Sequence, residues 1–190
     1  MGNESGADGA VVALAGRRVD APGAEPPRFP LENVPLVRGR IAELLAGEAA
    51  VALVCSGACG ADLVALEEAE RLGLRFRMVL PFPAARFRNT SVVDRPGDWG
   101  PVFDRMVAAA EAAGDLVVIG DDEGGDAAYA AANEAIVSEA QALGRAGDAP
   151  RRLVAAVVWE GSARGGSDAS GGFRDLAAKA GFEGRSVLTL

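Results

Sequence analysis

Three groups of residues in this chain have the types and spacing to do chemistry. The first is a turn. Residues 50–55 (AVALVC) form an unbroken apolar run that stops at Ser56-Gly57 and Gly60-Ala61-Asp62, and an amphipathic pattern through Leu63, Leu66 and Leu72 begins at once. A buried strand, a small-residue turn and a helix start in this order bring unpaired backbone N–H groups and the positive end of a helix dipole to one point, which favours a phosphate. Gly57 and Gly60 would let the backbone approach a ligand closely. Close-packed turns also use small residues without binding anything. The stretch is neither a Walker loop nor a full G-x-G-x-x-G.

The second group is cationic. Arg17 follows the first apolar run, while Arg86 and Arg88 flank Phe87, with Ser91 close by as a hydroxyl donor. Guanidinium groups grip phosphate oxygens well, and the competing reading is a solvated loop pinned to the core by Phe87. The third group is acidic. Glu160 and Asp168 bracket a Gly- and Ser-rich stretch and are the candidate catalytic carboxylates. Asp121, Asp122, Glu123 and Asp126 read instead as a solvated loop leading into a helix. Tyr129 and Asn133, four apart, share a helix face and have the groups to bond a ribose or a base edge. Tyr129 also falls on the apolar period, which places it in the core.

Composition removes other chemistries. The chain has no histidine, which excludes Ser-His-Asp and Cys-His catalysis, histidine bases and histidine metal ligands. Cys55 and Cys59 lack a second pair to complete a metal site and read as small apolar fillers, so neither a metal nor a cofactor is expected. The net charge is −8, with Lys179 the single lysine, which argues against a broad nucleic-acid-binding surface. No apolar run approaches the ~20 residues that span a membrane, and the polar, acidic start MGNESGADGA does not resemble a signal peptide. A cytoplasmic location is the expectation, with residues 1–9 a disordered tail and 1–190 one domain.

These groups need a scaffold to bring them together. Apolar runs recur at residues 11–15, 51–55, 76–80, 116–119, 153–159 and 187–190, continuous as in parallel strands covered on both faces. Helical periodicity lies between most of them. One helix starts at Val34 with Asn33 as cap, a second follows Asp62, and a third begins beside Pro101. A fourth is capped by Asp126, and a last one ends at Gly181. The proline-rich residues 20–30, residues 81–100 and residues 160–172 read as long loops. The prediction is a single α/β, Rossmann-like three-layer domain, with a mostly parallel sheet of about six strands and helices on both faces. In such a sheet ligands bind beyond the carboxyl ends of the strands. That rim collects Arg17 and Arg18, the 56–62 turn, Arg86 and Arg88, Asp121 and Glu160. Trp159, at a strand end, reads as core.

SGACGAD ahead of a helix and the later AYAAANEAI helix resemble the SLOG superfamily, together with VDAPGAEPPRFP, LPFPAARFRNTSV and VVWEG followed by GGSD. The likeness covers roughly residues 11–190. This superfamily groups the Lonely Guy phosphoribohydrolases, the DNA-processing protein A fold and nucleotide-sensing domains. The resemblance implies a nucleotide-derived ligand, of NAD, ADP-ribose or cyclic-nucleotide type, held by Ser56, Gly57 and Gly60 with Asn133 nearby. It also implies a signalling context and a homo-oligomer. Residues 165–170 are the nearest stretch to the PGGxGTxxE motif of the phosphoribohydrolases, and lack its proline, its Gly-Thr pair and its spaced glutamate. Arg17 stands where relatives of this branch carry histidine.

Three readings follow. In the first, the chain binds or senses a nucleotide or nucleotide-derived ligand, with Arg17, Ser56, Gly57, Gly60, Asp62, Arg88 and Asn133 on one side and Gly165, Gly166 and Ser167 closing the other. In the second it is an N-glycosidic hydrolase in which Glu160 or Asp168 stabilises or traps a ribosyl centre. In the third it is an oligomerisation module with no small ligand, and its 56–60 turn is filled by side chains.

Overall fold

The computed structural model describes residues 9–121, 125–162 and 169–190. Six strands form one sheet: β1 Ala10–Gly16, β2 Ala50–Cys55, β3 Arg75–Leu80, β4 Leu116–Val118, β5 Arg152–Trp159 and β6 Glu183–Leu188. Their spatial order is β4-β3-β2-β1-β5-β6, and every pairing is parallel. The chain therefore moves outward from β1 to β4, then returns across β1 to lay down β5 and β6. That reversal creates a crevice at the carboxyl end of β1.

Among the described residues six α-helices cover the sheet: α1 Val34–Gly47, α2 Ala61–Arg71, α3 Ala84–Ser91, α4 Gly100–Ala112, α5 Asp126–Arg145 and α6 Ala169–Lys179. Successive side chains of a strand point to opposite faces, and β1 shows the division. Val12 and Leu14 pack with Val37 and Ile41 of α1, Leu63 and Leu66 of α2 and Met106 of α4. Val11 and Ala13 pack with Ile136 and Ala140 of α5 and Phe173 of α6. The expected three-layer α/β domain is what the chain forms.

The first five strands lie within a residue of the apolar runs. β6 does not: it begins at Glu183, well before Val187. As an edge strand it buries little, and its polar residues form ion pairs instead. Arg152 and Arg185 both bond Glu48 and Glu183. Residues 81–100 are not one loop either, because 84–91 form α3, which buries only Phe87 and Ser91.

The capping expectations also change. Asn33 precedes α1 but makes no capping bond; its side-chain amide donates to the Thr189 carbonyl at 2.9 Å, tying the last strand to the helix. Gly125, rather than Asp126, is the residue before α5. The 20–30 segment is ordered: the Asp20 carboxylate accepts the Arg28 and Phe29 N–H groups at 2.9 and 3.0 Å, and Phe29 is fully buried. The expected 1–9 tail lies, up to residue 8, outside the described residues, as do Asp122 and Glu123. Among the described residues no helix is long and apolar enough to cross a membrane.

Candidate functional site

A cavity of about 320 Å³ opens where β1 and β2 end. Its walls are Leu14, Ala15 and Gly16 of β1, Ser56 and Ala58 of the turn after β2, and Asp62 of α2. Phe87 and Ser91 of α3, Tyr129, Ala132, Asn133 and Ile136 of α5, Ser170 of α6 and Arg18 complete it. Apolar walls with a few converging polar groups are the usual makeup of a small-molecule site. The sequence pointed to four of the polar groups: Ser56, Asp62 and Asn133 as binding residues, and Ser91 as a hydroxyl donor. It placed Tyr129 in the core, yet Tyr129 is 36% exposed and its hydroxyl lies 3.1 Å from that of Ser91. The i, i+4 pairing with Asn133 was the signal for it.

The 56–62 turn is not an open anion cradle. The carboxylate of Asp62 takes the Gly57 and Ala58 N–H groups at 3.1 and 3.2 Å. The Cys59 N–H donates to the Ser91 carbonyl at 3.0 Å, and the Ala61 N–H to the Arg17 carbonyl at 3.1 Å. The glycines serve packing. Gly60 has φ +97°, and a Cβ there would sit 2.8 Å from the Val19 nitrogen and 2.9 Å from the Arg17 oxygen. A Cβ on Gly57 would sit 2.7 Å from the Met78 methyl group. Neither glycine is among the cavity's walls.

Asp62 itself is 6% exposed, and its second oxygen, Oδ1, is buried without a hydrogen-bond partner among the described residues. Burial pushes its pKa up to about 6, against the two backbone N–H bonds that favour the ionised form.

Arg17 and Arg18 diverge. Gly16 pairs with Val158 and the Arg17 N–H bonds the Val158 carbonyl at 2.8 Å, so Arg17 and Glu160 leave adjacent strands side by side. The Arg17 guanidinium bonds both Glu160 oxygens at 2.7 and 3.2 Å, and Arg28 adds a third bond at 2.6 Å. Burial raises the Glu160 pKa, but the bonds and charges of the two arginines outweigh it and hold the carboxyl below its ordinary range. Glu160 is thus an ionised hub rather than a proton donor, and it does not line the cavity. Replacing Glu160 by Gln leaves two largely buried guanidiniums facing a neutral amide. The expected loss is about 2 kcal/mol in urea unfolding at pH 7, and an unchanged midpoint would show the cluster to be inert.

Arg18, not Arg17, reaches the cavity. Its NH1 bonds both Asp94 oxygens at 2.8 Å and the Thr90 carbonyl at 3.2 Å. Arg88 points elsewhere, to Asp104 of α4 at 2.8 and 3.1 Å. Arg86 lies over the Phe82 ring, 4.2 Å from its centroid. Trp159 is buried, with the Arg174 guanidinium 5.2 Å from its ring centroid. Gly165, Gly166, Ser167 and Asp168 lie outside the described residues.

No protein-family model matches this chain, and no curated protein matches it significantly.

Among the described residues no three histidine, cysteine or acidic side chains are grouped to hold a metal. Cys55 and Cys59 are free and fully buried. Burial raises the Cys59 pKa to about 11 and that of Cys55 well above the usual thiol range. Neither thiol should react with a disulfide reagent in the native protein at pH 8, and both should react in denaturant. Rapid native labelling would mean that the turn opens.

Proposed function

We propose that the cavity binds a nucleotide-derived small molecule and that the protein senses this ligand rather than consuming it. The observation that carries the reading is the position and lining of the cavity. It lies at the carboxyl end of the strand where the order reverses, with hydroxyl, amide and carboxyl groups converging between apolar walls. Its volume is at the lower end of the roughly 300–1,000 Å³ usual for such sites, which favours a mononucleotide or a part of a larger nucleotide. The resemblance of SGACGAD and AYAAANEAI to the SLOG superfamily points to the same ligand class, and self-association and a signalling role are proposed with it. Glu160 supports sensing, since both its oxygens are engaged by arginines outside the cavity.

One observation favours a second reading, N-glycosidic cleavage. Asp62 is a carboxyl in the cavity wall with a pKa of about 6, and acids so perturbed often serve catalysis.

A thermal-shift screen with AMP, cyclic nucleotides, NAD, ADP-ribose and cyclic ADP-ribose tests both, with each mixture then chromatographed for breakdown. A ligand at one hundred times its Kd should raise Tm by about 5–10 °C. The shift should vanish in Ser56→Arg, whose side chain fills the cavity, and the ligand should be recovered intact. Breakdown that is lost in Asp62→Asn would establish the enzyme instead. No shift with any compound would sink the nucleotide reading.

A further inference from the structure

We infer that the inner end of the cavity accepts an uncharged, donor-bearing group, a ribose diol or a base amine, and that a ligand phosphate lies at the outer side beside Arg18. The inference rests on the nucleotide reading and reverses the orientation in which a phosphate sits on the glycine turn.

The turn has already been given an anion. Asp62 Oδ2 accepts both the Gly57 and the Ala58 N–H, the donors that a phosphate on this turn would need. The amides of Cys59 and Ala61 are bonded to the carbonyls of Ser91 and Arg17. A phosphate entering here would face a buried carboxylate that already holds two of the turn's donors, and like charges in a poorly hydrated place repel strongly.

The same carboxylate has a use for a different group. Asp62 lines the cavity, is only 6% exposed, and its Oδ1 has no partner among the described residues. A buried acceptor left without a donor is costly, and a ligand hydroxyl or amine that supplies one is bound and oriented by it. Ser56, Asn133 and the Ser91–Tyr129 hydroxyl pair line the same cavity and add groups suited to sugar or base edges. Among the described residues Arg18 is the arginine in the cavity's walls, and its side chain is 30% exposed. Its pairing with Asp94 leaves other guanidinium edges to a phosphate oxygen.

Calorimetric titration of the full chain tests the orientation. The probes are adenosine, guanosine, cytidine and uridine, their 5′-monophosphates, and inorganic phosphate. At least one nucleoside should bind within about tenfold of its monophosphate, with no competition from millimolar phosphate. Asp62→Asn, which turns the acceptor into a donor, should weaken nucleoside and monophosphate alike by tenfold or more. Arg18→Gln should remove only the advantage of the monophosphate. Ser56→Ala, a smaller change, should weaken both ligands less, and circular dichroism confirms that each variant is folded. Monophosphates that bind while nucleosides do not, or nucleoside binding that is unchanged in Asp62→Asn, would overturn the orientation and leave the nucleotide reading standing. If none of the probes binds, the orientation falls, and the thermal-shift screen decides the nucleotide reading.

Discussion

Gly60→Ala should cost about 3–5 kcal/mol of stability, lower Tm by roughly 10 °C and abolish binding in the cavity. The residue sits at φ +97° and ψ −122°, a conformation that side chains rarely adopt. Its new Cβ would also lie 2.8 Å from the Val19 nitrogen, 2.9 Å from the Arg17 oxygen and 3.1 Å from the Arg18 carbonyl carbon. All three are backbone atoms, so no rotamer change relieves the contact. The segment after β1 must move away from the turn after β2, breaking the Ala61–Arg17 bond and parting two walls of the cavity. Gly73 is the control. It also has a positive φ, +68°, but nothing lies within 4 Å of its Cβ position, so Gly73→Ala should cost only about 1 kcal/mol. Chemical denaturation of the two variants decides the matter, and equal losses would mean that the close approach at Gly60 is not what holds the rim together.

The second large effect is one of pH. Asp62 titrates at about 6 in the folded chain, against an ordinary value of 3.8. The folded state therefore binds this proton more tightly than the unfolded state does. Its contribution is fully present below about pH 4 and is lost as the pH rises through 6. The displacement corresponds to about 3 kcal/mol at ~1.4 kcal/mol per pH unit. Asp115, bonded by Arg75 and Arg77, and Glu160 work the other way, because their carboxyls are held below the ordinary range and their contribution disappears as the pH falls. The wild-type curve alone mixes these trends. The difference between Asp62→Asn and wild type isolates one group, and should move by about 3 kcal/mol in favour of the variant between pH 4 and pH 8. Urea unfolding across that range measures it, and a flat difference would place Asp62 in water.

Most of the scaffold could be read from the chain because parallel strands covered on both faces must be continuously apolar. β2 and β5, AVALVC and RLVAAVVW, are such runs. The misread parts are those where burial is slight. β6 is an edge strand whose ion pairs with Arg152 and Glu48 replace apolar contact, and α3 turns a polar face outward after a Pro-Phe-Pro entry that looks like a loop. The site was legible only in its location. The strand-end rule brought Ser56 and Asp62 to the rim and the i, i+4 pairing with Tyr129 drew in Asn133, and all three line the cavity, but nothing local decides which of two adjacent arginines enters it. Adjacent residues leaving a strand diverge, and here the partner of Arg17 is Glu160, 143 positions away. Nor does spacing reveal that Asp62 turns back onto the amides ahead of its own helix, which changes what SGACGAD offers a ligand.

The sheet order has a consequence during synthesis. Strand β1 ends up between β2 and β5, yet the two neighbours are made far apart in time. β2 follows within one helix, whereas Arg152–Trp159 leaves the ribosome only after most of the chain. At about 5–20 residues per second the wait is on the order of ten seconds. Throughout it, the uncharged strand AVVALAG presents one full row of unpaired amide and carbonyl groups. The folded protein hides this edge completely, so the hazard belongs to the nascent chain alone. Chains halted before β5 should be the ones that chaperones hold or that aggregate, while chains halted after β5 should already resist protease.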